Sequence, residues 1–144
     1  MKIYLVGFSA GAVVATTAAV ACPPGTVDQI ILLASGHSQV FDLRPVLANC
    51  RLDIDTFHSR VDSLLWGLAE AFGPADGGPR PPAGVKGFVP IIQSPKDATL
   101  YQKLRQHGWD ESWVLQGGHL GNHLCYARVT FLRAMVLPLI GSEK

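Results

Sequence analysis

An excess of charge of either sign is missing from this chain. Twelve basic and eleven acidic side chains leave a formal charge of +1 at pH 7. So even a balance gives no electrostatic footprint for nucleic acid or for an anionic membrane surface, and neither is expected as a partner. Cysteine is scarce: Cys22, Cys50 and Cys125 form no Cys-x-x-Cys pair. That spacing excludes the common zinc patterns, the odd number argues against a disulfide framework, and buried reduced thiols are expected. Uninterrupted apolar runs are also short. The longest candidate, residues 3–22, is broken by Gly7, Ser9 and Gly11, which argues against a membrane span. Neither an internal repeat nor a linker stands out. What remains is ordinary: 144 residues, 48% of them apolar, enough to bury the core of one domain over 1–144.

One short segment carries most of the chemical information. Gly7-Phe8-Ser9-Ala10-Gly11 follows the apolar run Ile3-Tyr4-Leu5-Val6 and precedes small residues from Ala12 to Ala21. A Gly-x-Ser-x-Gly pattern between a strand and a helix forces a sharp turn that lifts the central side chain clear of the backbone. The two glycines are expected to remove Cβ atoms that would collide across the bend. The Ala10 N–H then falls at a helix N-terminus, where partial positive charge collects and an oxyanion is stabilised.

These residues resemble the nucleophile elbow of the α/β-hydrolase superfamily, of the serine esterase and lipase type. The resemblance implies an α/β fold with a mostly parallel sheet and flanking helices. It also implies Ser9 as nucleophile and Ala10 as a donor to the oxyanion hole. It covers only the C-terminal half of that fold, beginning at the elbow strand. A fragment with reduced or no activity alone is therefore expected, with the elbow strand exposed as an edge through which copies self-associate. The loop that supplies the family's second oxyanion donor has no counterpart here.

Downstream patterning fits an alternation of strands and helices. Strands are expected over 2–8, 27–34 and 51–57, with helices over 10–21, 41–49 and 61–72. Residues 73–87 hold five Gly and four Pro and read as a loop. A helix is expected over 99–107, capped by Ser94 or Asp97, then a short strand over 112–115. A final helix runs from His123 to about Val136, capped by Asn122 and stopped by Pro138.

A serine needs a base, and the base an orienting carboxylate. In the family the order along the chain is Ser, acid, His. Asp62, after the third expected strand, is the expected acid; its other reading is the N-cap of the following helix. Asp97 is the alternative, while Asp53 and Asp55 lie inside the strand. His119, in Gly117-Gly118-His119-Leu120-Gly121, is the expected base, with His123 as competitor. His37 and His58 also follow strands and could line the same face; Trp66 and Trp109 could line a pocket. The expected substrate is a small molecule with an ester or related acyl bond. No cofactor or metal is implied.

Two other classes stay open. The chain could be a non-catalytic binding module of the same fold. Alternatively, residues 1–22 could be a cleaved leader ending near Ala19-Val20-Ala21, which would make Ser9 an accident. The compartment is open, with the cytoplasm favoured if residues 1–22 form the elbow.

Overall fold

The computed structural model describes residues 1–141. Residues 142–144 of the expected 1–144 domain lie outside the described residues. The centre is a parallel four-stranded sheet in the order β1-β2-β3-β4. The strands are Tyr4–Phe8, Gln29–Leu33, Ile54–His58 and Leu104–Gly108. Parallel neighbours need a crossover between each pair, and helices provide it. These are α1 (Gly11–Ala21), α2 (Arg44–Asn49), and, between β3 and β4, α3 (Ser63–Phe72), α4 (Ala83–Lys86) and α5 (Pro95–Tyr101).

Strand alternation assigns the two faces. On one, Ile30, Leu32 and Ile54 pack against Ala12, Ala15 and Ala19 of α1, Val46 and Leu47 of α2 and Tyr101 of α5. On the other, Ile31, Leu33 and Phe57 pack against Leu65 of α3 and the C-terminal third of the chain, through Trp113, Tyr126, Phe131 and Val136. Every residue of β2 is buried, as its unbroken Gln-Ile-Ile-Leu-Leu run requires of a strand covered on both sides. Among the described residues, no helix is long and apolar enough to cross a membrane.

Small residues decide how closely α1 approaches β1. A Cβ on Gly7 would stand 2.6 Å from Ala12 Cα and 2.8 Å from the Gly11 carbonyl oxygen. Both obstacles are backbone, so neither can swing away. Gly11 is different: a Cβ there meets nothing within 4 Å. The expectation that both glycines relieve a collision therefore holds at Gly7 and fails at Gly11, which simply begins the helix.

Three expected elements differ from what forms. Residues 104–107, expected at the end of a helix, belong to strand β4, and α5 stops at Tyr101. The strand is polar because it lies at the sheet's edge and its side chains serve a buried acid. Asp55 of β3 accepts from Gln29 Nε2 (3.0 Å) and Arg105 Nη2 (2.7 Å), and its other oxygen meets His107 Nε2 at 2.8 Å. Burial pushes the Asp55 carboxyl up, but hydrogen bonds from His107, Arg105 and Gln29 outweigh it and hold the group below the usual carboxylate range. Residues 112–115, expected as a strand, belong to helix α6 (Ser112–Gly117), closed by Gly118 at φ 65°. The expected final helix is broken at Arg128, whose ψ of 132° is extended. A 3-10 turn, His123–Ala127, precedes the break. A helical turn (Val129–Phe131), a π-turn (Leu132–Val136) and a 3-10 turn (Leu137–Leu139) follow it. Within the Gly/Pro-rich loop, Ala83–Lys86 forms the one-turn helix α4.

The glycine contrast is testable by urea unfolding. Gly7→Ala should cost at least about 2 kcal/mol through backbone overpacking. Gly11→Ala should leave stability unchanged or raise it by up to about 1 kcal/mol, because helix propensity improves. Equal effects would contradict the close approach.

Candidate active site

Ser9 sits where β1 turns into α1, with φ at 55°. A non-glycine residue in the left-handed region costs about 1–3 kcal/mol and persists only when its surroundings over-determine it. Here three backbone hydrogen bonds do so. The Ser9 N–H donates to Leu33 O at 2.9 Å, and Ser9 O accepts from Ala12 N at 3.1 Å and Gly36 N at 3.0 Å. β2, the loop after it and α1 thus hold the turn together. Ala10 follows as an exposed residue at the N-cap of α1, so its N–H belongs to the donors that a helix's first turn leaves without an intrahelical carbonyl.

Asp62 supports both readings of its side chain. Oδ1 accepts from the Leu65 N–H at 2.9 Å, capping α3. Oδ2 lies 2.8 Å from His123 Nδ1. The carboxylate is buried and, when ionised, only accepts, so His123 Nδ1 carries the proton and Nε2 offers its lone pair. That Nε2 stands 2.9 Å from Ser9 Oγ, and the serine hydroxyl donates to it. The His123 ring leans against Phe8, with centroids 4.8 Å apart. Ser9, His123 and Asp62 therefore form one hydrogen-bonded chain of side chains drawn from three separate segments.

His119 takes no part in it, and the expectation that it would lie on Ser9 is corrected. Its ring is buried between Trp113, Tyr126 and Phe131, with centroids 5.4, 4.2 and 4.7 Å away. Nδ1 accepts from Gly121 N at 3.0 Å, and Nε2 has no hydrogen-bond partner. The cause is local. Gly118 and Gly121, at φ 65° and 84°, fold the loop back so that His119 points into the core. Asn122 then caps the 3-10 turn through Cys125 N at 3.3 Å and presents its first residue, His123, to the strand ends. The cap residue was the signal in the sequence; the flanking glycines pointed to the wrong ring.

The remaining candidates are occupied elsewhere. Asp97, in the first turn of α5, accepts from Gln93 N (2.9 Å) and faces Arg44 at 3.5 Å. Asp53 pairs with Arg105 at 3.1 Å, the cation that also serves Asp55. His37 is buried between Ser35 Oγ (2.7 Å) and Thr16 Oγ1 (2.9 Å). His58 packs beside Gly87 and Gly108, its Nδ1 buried without a partner. Trp109 donates its indole N–H to His119 O at 2.9 Å. Trp66 lines a cleft of about 510 Å³ with Arg60, Asp62 and Lys86; Ser9 is not among its lining residues. A smaller cavity, about 90 Å³, does open on Ser9 and Ala10. Among the described residues, no group of three or more His, Cys, Asp or Glu is placed to hold a metal ion.

Comparison with family models, with curated proteins and with solved structures found no match.

Burial pushes His37 and His119 down to about 4, against the opposing pull of Asp76 on the first and Asp62 on the second. Both rings are neutral in the fold at pH 5 to 6, while the unfolded chain protonates them near 6.5. Unfolding takes up protons in that window, so stability is full above about pH 6.5 and declines as the pH falls towards 4. A melting series from pH 7 to 4 should show the decline, and His119→Phe should flatten it. A melting temperature that is level between pH 6.5 and 4.5 would contradict neutral buried rings.

Proposed function

We propose that the chain is a serine hydrolase acting on an ester or related acyl bond. In this reading Ser9 is the nucleophile, His123 the base and Asp62 the acid that fixes the base's tautomer. The observation that carries it is the continuous pair of contacts, 2.9 Å from Ser9 Oγ to His123 Nε2 and 2.8 Å from His123 Nδ1 to Asp62 Oδ2. The strained turn at Ser9, the parallel sheet and the chain order Ser, Asp, His support the resemblance to the C-terminal half of the α/β-hydrolase fold.

His123 Nε2 takes the proton of Ser9 Oγ as the oxygen attacks the acyl carbon. The oxyanion that forms is met by the Ala10 N–H at the start of α1. The tetrahedral adduct collapses, and His123 returns its proton to the departing alkoxide, which leaves as an alcohol. Water, deprotonated by the same nitrogen, then attacks the acyl carbon; as the bond to Ser9 Oγ breaks, His123 returns that proton to Oγ and the acyl group leaves as a carboxylic acid. Throughout, the buried Asp62 carboxylate stabilises the imidazolium without taking its proton.

Intact-mass measurement after exposure to a fluorophosphonate tests the assignment. One adduct should form on the parent chain and on His119→Phe. None should form on Ser9→Ala, and labelling of His123→Ala should be at least about 10³-fold slower. Equal labelling of His123→Ala and parent would overturn it.

A further inference from the structure

The cavity that opens on Ser9 is small and uncharged. Its volume is about 90 Å³. Helix α3 supplies one wall through Leu65, Leu68 and Ala69, a single face by their spacing of three and four. The Gly/Pro-rich segment supplies the opposite wall through Pro74, Ala75 and Pro82. Gly36 closes the space between that wall and the elbow. A Cβ there would stand 3.2 Å from Ala75 Cβ and 3.3 Å from Ser9 O. Among the described residues, Ser9 is the one lining residue with a polar side chain.

An apolar cavity of about 150 Å³ accommodates benzene, six carbon atoms. By that measure about 90 Å³ accommodates three or four. Beyond the elbow, a charged or hydrogen-bonding acyl group would find no side-chain partner on these walls and would lose hydration without return.

Resting on the reading of Ser9 as nucleophile, we propose that the site selects short, uncharged aliphatic acyl groups of about two to four carbons, seated between the α3 face and the Pro74-Ala75 wall. The carbonyl carbon lies at Ser9 Oγ and the chain points into the cavity. An acyl tail of eight carbons exceeds that volume and leaves its outer carbons beyond the walls. A misfit of even one methylene in an apolar pocket changes kcat/KM by about tenfold or more.

The test is kcat/KM for p-nitrophenyl acetate, butyrate and octanoate on the parent, Leu68→Ala and Ala75→Leu. Both substituted positions are exposed, and fluorophosphonate labelling of Ser9 reports whether each variant is folded. The parent should lose at least about tenfold from butyrate to octanoate. Leu68→Ala, which opens the wall, should recover much of that loss, and Ala75→Leu should lower butyrate relative to acetate by about tenfold. Octanoate turned over as well as butyrate, or ratios that neither variant moves, would overturn the pocket while leaving Ser9 as nucleophile. No turnover of any ester together with no Ser9-dependent adduct would overturn the hydrolase reading and the pocket with it.

Discussion

Everything near the site depends on the backbone of Ser9. A serine at φ 55° is held against its own steric preference by hydrogen bonds to β2, to Gly36 and to α1. Removing any of these would let the residue relax towards an ordinary conformation, and the hydroxyl would move away from His123. The close approach of α1 to β1 at Gly7 is the same constraint seen from the other side: the helix must begin within one turn of the strand's end. Strain at one residue is thus distributed over three elements, each secured by its own packing on the sheet.

The second dependence is the buried carboxylate of Asp62. A helix cap and an orienting acid are usually weighed as competing explanations for an Asp at this kind of position. Here the two oxygens divide the work, one on Leu65 N–H and one on His123 Nδ1. The arrangement satisfies both lone-pair directions of a buried anion, which would otherwise be costly to desolvate.

Much of this was legible in the sequence. The apolar runs of β1 and β2, the alternation in β3, the Ala-rich crossover and the caps at Asp62, Ser94 and Asn122 all carry local signals strong enough to read. β4 was not legible, because an edge strand that hydrogen-bonds a buried Asp55 through Arg105 and His107 looks polar and helix-compatible. α6 was misread because Trp113-Val114-Leu115 favours a strand by side-chain type, while the left-handed Gly118 that ends the helix lies just beyond. The choice between His119 and His123 turned on tertiary packing. Glycines beside His119 allowed it either to reach outwards or to fold inwards, and three aromatic rings in the core decided the matter.

Leu65 stands at a junction of three roles. Its N–H holds the Asp62 carboxylate, its side chain belongs to the core beneath the sheet, and it also walls the cavity on Ser9. The shape of the cavity and the position of the Asp62 carboxylate are consequently set together along α3. A substitution that reshapes the cavity from this helix also acts on the residue whose N–H holds Asp62. The Pro74-Ala75 side is tied to the elbow as well, because the Ala75 N–H donates to Gly36 O at 2.8 Å and the Gly36 N–H donates to Ser9 O at 3.0 Å, so both walls of the cavity share backbone support with the turn they face.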